Sequence, residues 1–265
     1  NYLADKDVST EFLIQALTHG TKHLSLETTS LPLHKMPRDQ EIDWENLKFN
    51  VIYSYSHGGM DSLEFPVQNR LKTLNLEIGA AQMILSALFD SCQGLEKLYL
   101  TRFSHFGELK SALACIASNG RSLKVLNFGN IQLGLDGVKI ICDNCVELKE
   151  FVVNLGTSEA VSYFCENLTP EIRKLNIFSC PVSKRSERFF EWADLSPAQF
   201  EKLTRRCNKL IALSIIGTIT INGISNIMKN LSQTLEKIRV GLTTHGWRSK
   251  QGNFLKGIVN KTVRR

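Results

Sequence analysis

The residues able to do chemistry are few in this chain, and their spacing argues against catalysis. His19 and His23 stand one helical turn apart, the spacing by which two imidazoles grip a metal. The residues between them are Gly-Thr-Lys, with no glutamate of the kind a metalloprotease uses as its base. The remaining histidines, at 34, 57, 105 and 245, are scattered. Cys142-x-x-Cys145 has the form of half a zinc or redox site, but no second Cys/His pair stands at ligand spacing, so neither a metal nor another cofactor is expected. Gly129, Gly134 and Gly137 lack the Lys-Ser/Thr that completes a phosphate loop, and there is no Gly-x-Ser-x-Gly elbow. No catalytic residue is expected, and the chemistry left to the chain is recognition.

Residues suited to recognition recur between leucines: Lys97 and Tyr99; Lys174, Asn176 and Phe178; Ile216; Lys237 and Arg239. What positions them is a repeat of one apolar residue, two others, an apolar residue, one other and an apolar residue. Its clear copies are Leu71-Leu74-Leu76, Leu95-Leu98-Leu100, Leu123-Leu126-Phe128, Leu148-Phe151-Val153, Ile172-Leu175-Ile177, Leu210-Leu213-Ile215 and Leu235-Ile238-Val240. The first positions are 24, 28, 25, 24, 38 and 25 residues apart, from 71 through 95, 123, 148, 172 and 210 to 235. All but one interval fall within the unit length of leucine-rich repeats. Thr21-Leu24-Leu26 and Trp44-Leu47-Phe49 extend the series toward the N-terminus as degenerate copies, the second one step off.

Strand geometry sends the second and third apolar residues of each copy to one face and the intervening residues to the other. Between copies, segments such as 80–89 and 135–142 carry apolar residues at intervals of three and four, as on a helix with one buried stripe. The expected fold class is α/β, a leucine-rich-repeat solenoid of horseshoe form with parallel strands on the concave face and helices on the convex one. The outward strand positions should then form columns. One is Thr73, Lys97, Val125, Glu150, Lys174, Ala212 and Lys237. A second is Asn75, Tyr99, Asn127, Val152, Asn176, Ser214 and Arg239, and a third is Glu77, Thr101, Gly129, Asn154, Phe178, Ile216 and Gly241. Tyr99, Phe178 and Ile216 are candidate anchors, because a few apolar or aromatic residues carry most interface energy. Lys97, Lys174, Lys237 and Arg239 favour an acidic or phosphorylated segment, and Asn176 completes the candidate protein-binding set.

Cys92, Cys145 and Cys207 each precede a leading leucine by three residues, which places them where a helix turns into the next strand. A free thiol packs there as a small hydrophobe. The long 38-residue interval contains a charged, aromatic-rich insertion at 181–192, and 243–265 forms a basic tail or cap. The expected organisation is a repeat domain over 1–242, degenerate at 1–70 and regular at 71–242. Trp247 and Phe254 are too sparse for a base-stacking platform, so no specific nucleic-acid role is expected despite the formal charge of +6. No apolar run approaches the roughly 20 residues a membrane-spanning helix needs, so no membrane role is expected either. Seven cysteines in no paired framework suit a reducing, intracellular compartment, cytoplasmic or nuclear.

The phrase Cys-x-x-Leu-x-x-Leu-x-Leu at Cys92, Cys145 and Cys207 resembles the cysteine-containing leucine-rich repeats of F-box proteins. Residues 203–218 in particular are similar to those of the S-phase-kinase-associated F-box receptor group. The resemblance spans about residues 10 to 242 and implies the substrate-recognition part of an SCF-type ubiquitin ligase. In such a receptor an F-box binds a Skp-family adaptor and through it a cullin, while the repeats hold the substrate protein. Leu31-Pro32 opens like an F-box, but Pro37 follows too soon for a helix to continue. No F-box is therefore expected in this chain: it lies upstream of Asn1, or the protein uses no adaptor. A free-standing repeat scaffold or inhibitor is the alternative. An extracellular recognition domain is a third, raised by the sequons at Asn167, Asn230 and Asn260.

Overall fold

Alternating apolar residues in short runs, separated by segments of helical period, should make each run a strand that pairs with its counterpart one repeat away. The computed structural model describes residues 23–28, 46–51, 71–78, 89, 92–101, 106–178, 195–216, 221–231 and 233–241. His19, His34, His57, His105 and His245, nearly all of the helical segment at 80–89, Cys180, the insertion at 181–192 and the tail at 243–265 lie outside them. The chain divides into two compact units, Asn1–Ile131 and Gln132–Arg265.

The first unit holds β1 (His23–Thr28), β2 (Asn46–Val51), β3 (Thr73–Ile78), β4 (Lys97–Thr101), α1 (Phe106–Asn119) and most of β5 (Val125–Leu133). Each strand pairs in parallel with the next in chain order. The two worn copies keep the phase: Leu24 is level with Leu47 and Leu47 with Leu74, while Leu26 is level with Phe49 and Phe49 with Leu76. The slip expected for the Trp44 copy is thus not present, because a one-residue shift would exchange the two faces of the strand.

The second unit alternates more regularly, with α2 (Leu135–Asn144), β6 (Glu150–Leu155), α3 (Ser158–Asn167), β7 (Lys174–Phe178), α4 (Pro197–Arg206), β8 (Ala212–Ile216), α5 (Ile221–Leu231) and β9 (Lys237–Gly241). Strands β6 to β9 again pair in parallel and in sequence. The architecture is α/β with parallel strands in chain order. Among the described residues no helix is long and apolar enough to cross a membrane.

One hydrogen-bond arrangement repeats at the strand entrances. The carbonyl of Lys72 accepts from the N–H groups of both Glu96 and Lys97, each at 2.9 Å, and the Glu96 carbonyl accepts from Lys124 and Val125. In the second unit the carbonyls of Lys149, Arg173 and Ile211 do the same for Arg173 and Lys174, Ile211 and Ala212, and Glu236 and Lys237. This forked acceptance pins each repeat to its neighbour at one level and so sets the register of the strand that follows.

The inward residues form the core. Leu98, Leu100, Leu126 and Phe128 in the first unit, and Phe151, Val153, Leu175, Ile177, Leu213 and Ile215 in the second, are at most 2 % exposed. Each such burial is worth about 1.5–3 kcal/mol, a gain available only when the adjacent repeat is in place. Helix α4 starts on a capping box. Ser196 Oγ accepts from the Gln199 N–H, and Gln199 Oε1 accepts from the Ser196 N–H, with Pro197 in the first turn. Two helices end on the cysteines expected there: the Cys145 N–H donates to the Ile141 carbonyl and the Cys207 N–H to the Leu203 carbonyl. Cys92 donates likewise to the Phe89 carbonyl, at 3.3 Å.

Candidate protein-binding face

Period-2 geometry leaves one side of each strand for the core and the other for a partner, and the pairing register decides which outward residues are neighbours. In the first unit Lys97 is level with Thr73 and Val125, and Tyr99 with Asn75 and Asn127. Lys97 is exposed and Tyr99 half-buried. Asn127 is committed locally, since its Oδ1 accepts from the Gly129 N–H at 2.8 Å. That bond holds a left-handed turn within β5, with Gly129 at φ +52°. A Cβ there would meet Thr101 Cγ2 at a tight 3.3 Å, and the left-handed backbone itself favours glycine.

The second unit carries the other six candidates. Lys174 is level with Glu150 and Ala212, and Ala212 with Lys237; Asn176 is level with Val152 and Ser214, and Ser214 with Arg239; Phe178 is level with Asn154 and Ile216. Lys237 and Arg239 are exposed, while Asn176, Phe178 and Ile216 are half-buried. Asn154, expected to face outward, is buried at 2 % exposure. It lies near the end of β6, shortly before Gly156, whose N–H donates to the carbonyl of Leu133 at the end of β5.

Lys174 does not stand as an unpaired cation. Its Nζ lies 2.7 Å from Glu150 Oε1 on the adjacent strand, with both side chains about half exposed. Such a surface pair is worth no more than about 1 kcal/mol, but it cancels the charge that an acidic partner would read. The partner was legible in the sequence, as the preceding member of the same column. Lys237 follows Ala212 in that column. Among the described residues neither Lys237 nor Arg239 makes an ion pair, whereas Lys72, Lys124, Lys202, Arg205 and Lys209 all do.

Away from this face, Glu96 sits between Lys124, at 2.8 Å, and Lys72, at 3.8 Å. The hydrogen bond from Lys124 holds its carboxyl below the ordinary carboxylate range. Periodicity alone did not single out two buried polar residues. Asn119 Nδ2 donates to the carbonyls of Cys92 and Cys115 while its Oδ1 accepts from the Leu95 N–H. Thr204 Oγ1 donates to the Phe200 carbonyl and accepts from Asn230 Nδ2. Both tie one repeat to the next. A polar residue inside a helix's apolar stripe was the available signal.

The cysteines of the described residues are all buried. Loss of hydration on burial pushes Cys142, Cys145, Cys165 and Cys207 up to about 12. At neutral pH they are protonated and act as packing groups, with the Cys207 thiol pointing at the Thr169 carbonyl 3.7 Å away. Among the described residues no group of three or more His, Cys, Asp or Glu side chains is placed to hold a metal ion.

No protein-family model matches the chain, and no curated protein sequence matches it.

Proposed function

We propose that the chain is a leucine-rich-repeat domain of the horseshoe type that holds another protein on its outward strand face. We propose further that it is the substrate-recognition part of an SCF-type ubiquitin ligase receptor. The observation that carries the reading is the recurrence of a cysteine at the helix end three residues before the leading leucine of a strand, at Cys145 and Cys207, with the strands that follow in register. That combination supports the resemblance to cysteine-containing repeats of F-box receptors more than it supports repeats in general.

In this reading the domain contributes position and no reacting group. It fixes a substrate near a ubiquitin-conjugating enzyme, so that a bimolecular encounter becomes an event at high effective concentration. The adaptor and cullin would be engaged through an F-box and not through the strand face. Purification of the full-length protein from its native cells, with mass spectrometry of what accompanies it, is the test. A Skp-family adaptor and a cullin should co-purify near stoichiometry. Their absence, with a bound protein retained, would overturn the ubiquitin-ligase reading and leave a free-standing scaffold.

A further inference from the structure

We infer that the outward face of β7–β9 takes an extended acidic segment of a partner protein, of the order acidic-x-acidic-x-bulky apolar from its N-terminal to its C-terminal end. The inference rests on the protein-binding reading above and specifies the partner's chemistry. Lys237 and Arg239 are two residues apart on β9, exposed on the same side, with Ile238 buried between them. Alternate residues of a strand repeat at about 6.6 Å, which is also the repeat of alternate side chains in an extended peptide lying along it. Two carboxylates separated by one residue therefore match the two cations one to one.

The next outward position on β9 is Gly241, level with Ile216 on β8, which is level in turn with Phe178 on β7. Gly241 brings no side chain to that level, so the half-buried Ile216 and Phe178 are the apolar residues in register there. An apolar side chain two residues beyond the second carboxylate falls at the level of Ile216 and Phe178. Ser214, level with Arg239, is small and polar. The chain's own C-terminal part does not supply the acids: from Lys237 to Arg265 there is no Asp or Glu, and Arg248, Lys250, Lys256, Lys261, Arg264 and Arg265 are basic. Like charge keeps that segment from neutralising Lys237 and Arg239.

The test is fluorescence anisotropy of a labelled peptide, Gly-Asp-Ser-Glu-Ser-Leu-Gly, titrated with the full chain at about 0.15 M salt, where exposed charges more than a Debye length apart are screened. Saturable binding is expected. The double variant Lys237→Gln/Arg239→Gln should weaken it about 10-fold or more, and replacing the peptide's leucine by alanine should weaken it comparably. Both cations are exposed, so the variant should fold, as circular dichroism will verify. Ile216→Ser gives a second reading of the apolar contact.

Equal affinity for the double variant, or indifference to the peptide's leucine, would overturn the inference. So would binding only of a version with phosphoserine in place of the acids, or equally tight binding of a short DNA duplex through the same two residues. The measurement needs no adaptor, so failed co-purification of the adaptor leaves it standing. Failed peptide binding with the adaptor present removes this inference alone.

Discussion

A thiol that cannot shed its proton is a packing group, and four of the cysteines are in that state. Because burial pushes Cys142, Cys145, Cys165 and Cys207 from 9 up to about 12, the folded chain keeps protons that the unfolded chain releases. The unfolded state then binds fewer protons, and stability falls as pH rises from about 9 toward 12. Urea denaturation at pH 7, 9 and 10.5 should show midpoints declining over the upper interval. At pH 8 a thiol reagent should modify these four only as fast as the protein unfolds; fast labelling of the native protein would contradict their burial. The same reasoning separates Lys174 from Arg239. Residue type made them equivalent candidates in the sequence, and a carboxylate 2.7 Å from one of them makes them different.

At the scale of elements, helices and strands follow from different signals. The apolar period located the strands closely, since Leu-x-Leu at each copy fixes which side is buried and the forked bonds to the carbonyls of Lys72, Lys149, Arg173 and Ile211 hold the level. Helices α3 and α4 start on side-chain caps, Thr157 and Ser196, whereas α2 starts at Gly134 without one. Ser196 and Gln199 cap α4 reciprocally, and Gln199 Nε2 also reaches Ser162 Oγ on α3 at 2.9 Å. Ser196→Ala should cost about 1 kcal/mol in urea denaturation. Gln199→Ala should cost more, because it removes the bond between helices as well. Equal costs for the two would mean that the contact to Ser162 contributes nothing.

At the scale of the whole molecule, a stacked array gains stability chiefly from each repeat's neighbours. Leu175 is fully buried in β7, in register with Phe151 on one side and Leu213 on the other. Leu175→Ala should cost about 2–5 kcal/mol. Hydrogen exchange should show lost amide protection in β6, β7 and β8 together; a loss confined to β7 would contradict coupling between repeats. Binding belongs to this scale too, because the inferred peptide site draws on three strands and no one repeat contains it.

The sequence by itself indicated the repeat and most of the inward and outward positions, because a period-2 strand and a near-constant repeat length leave little freedom in them; Asn154 and the phase of the Trp44 copy were the exceptions. It also placed Cys145 and Cys207 at helix ends, from their position three residues before a leading leucine, with the strands starting two residues after it at Glu150 and Ala212. Tertiary structure decided what each column contains in energetic terms. It set Glu150 against Lys174, left Lys237 and Arg239 without an ion pair among the described residues, buried Asn154, and put Asn119 and Thr204 to work between repeats. The column showed that Glu150 and Lys174, 24 positions apart, would be neighbours, but whether neighbouring side chains meet depends on distances that no local pattern encodes. A side chain's charge is written in the sequence, but whether it is already neutralised depends on what the fold brings beside it.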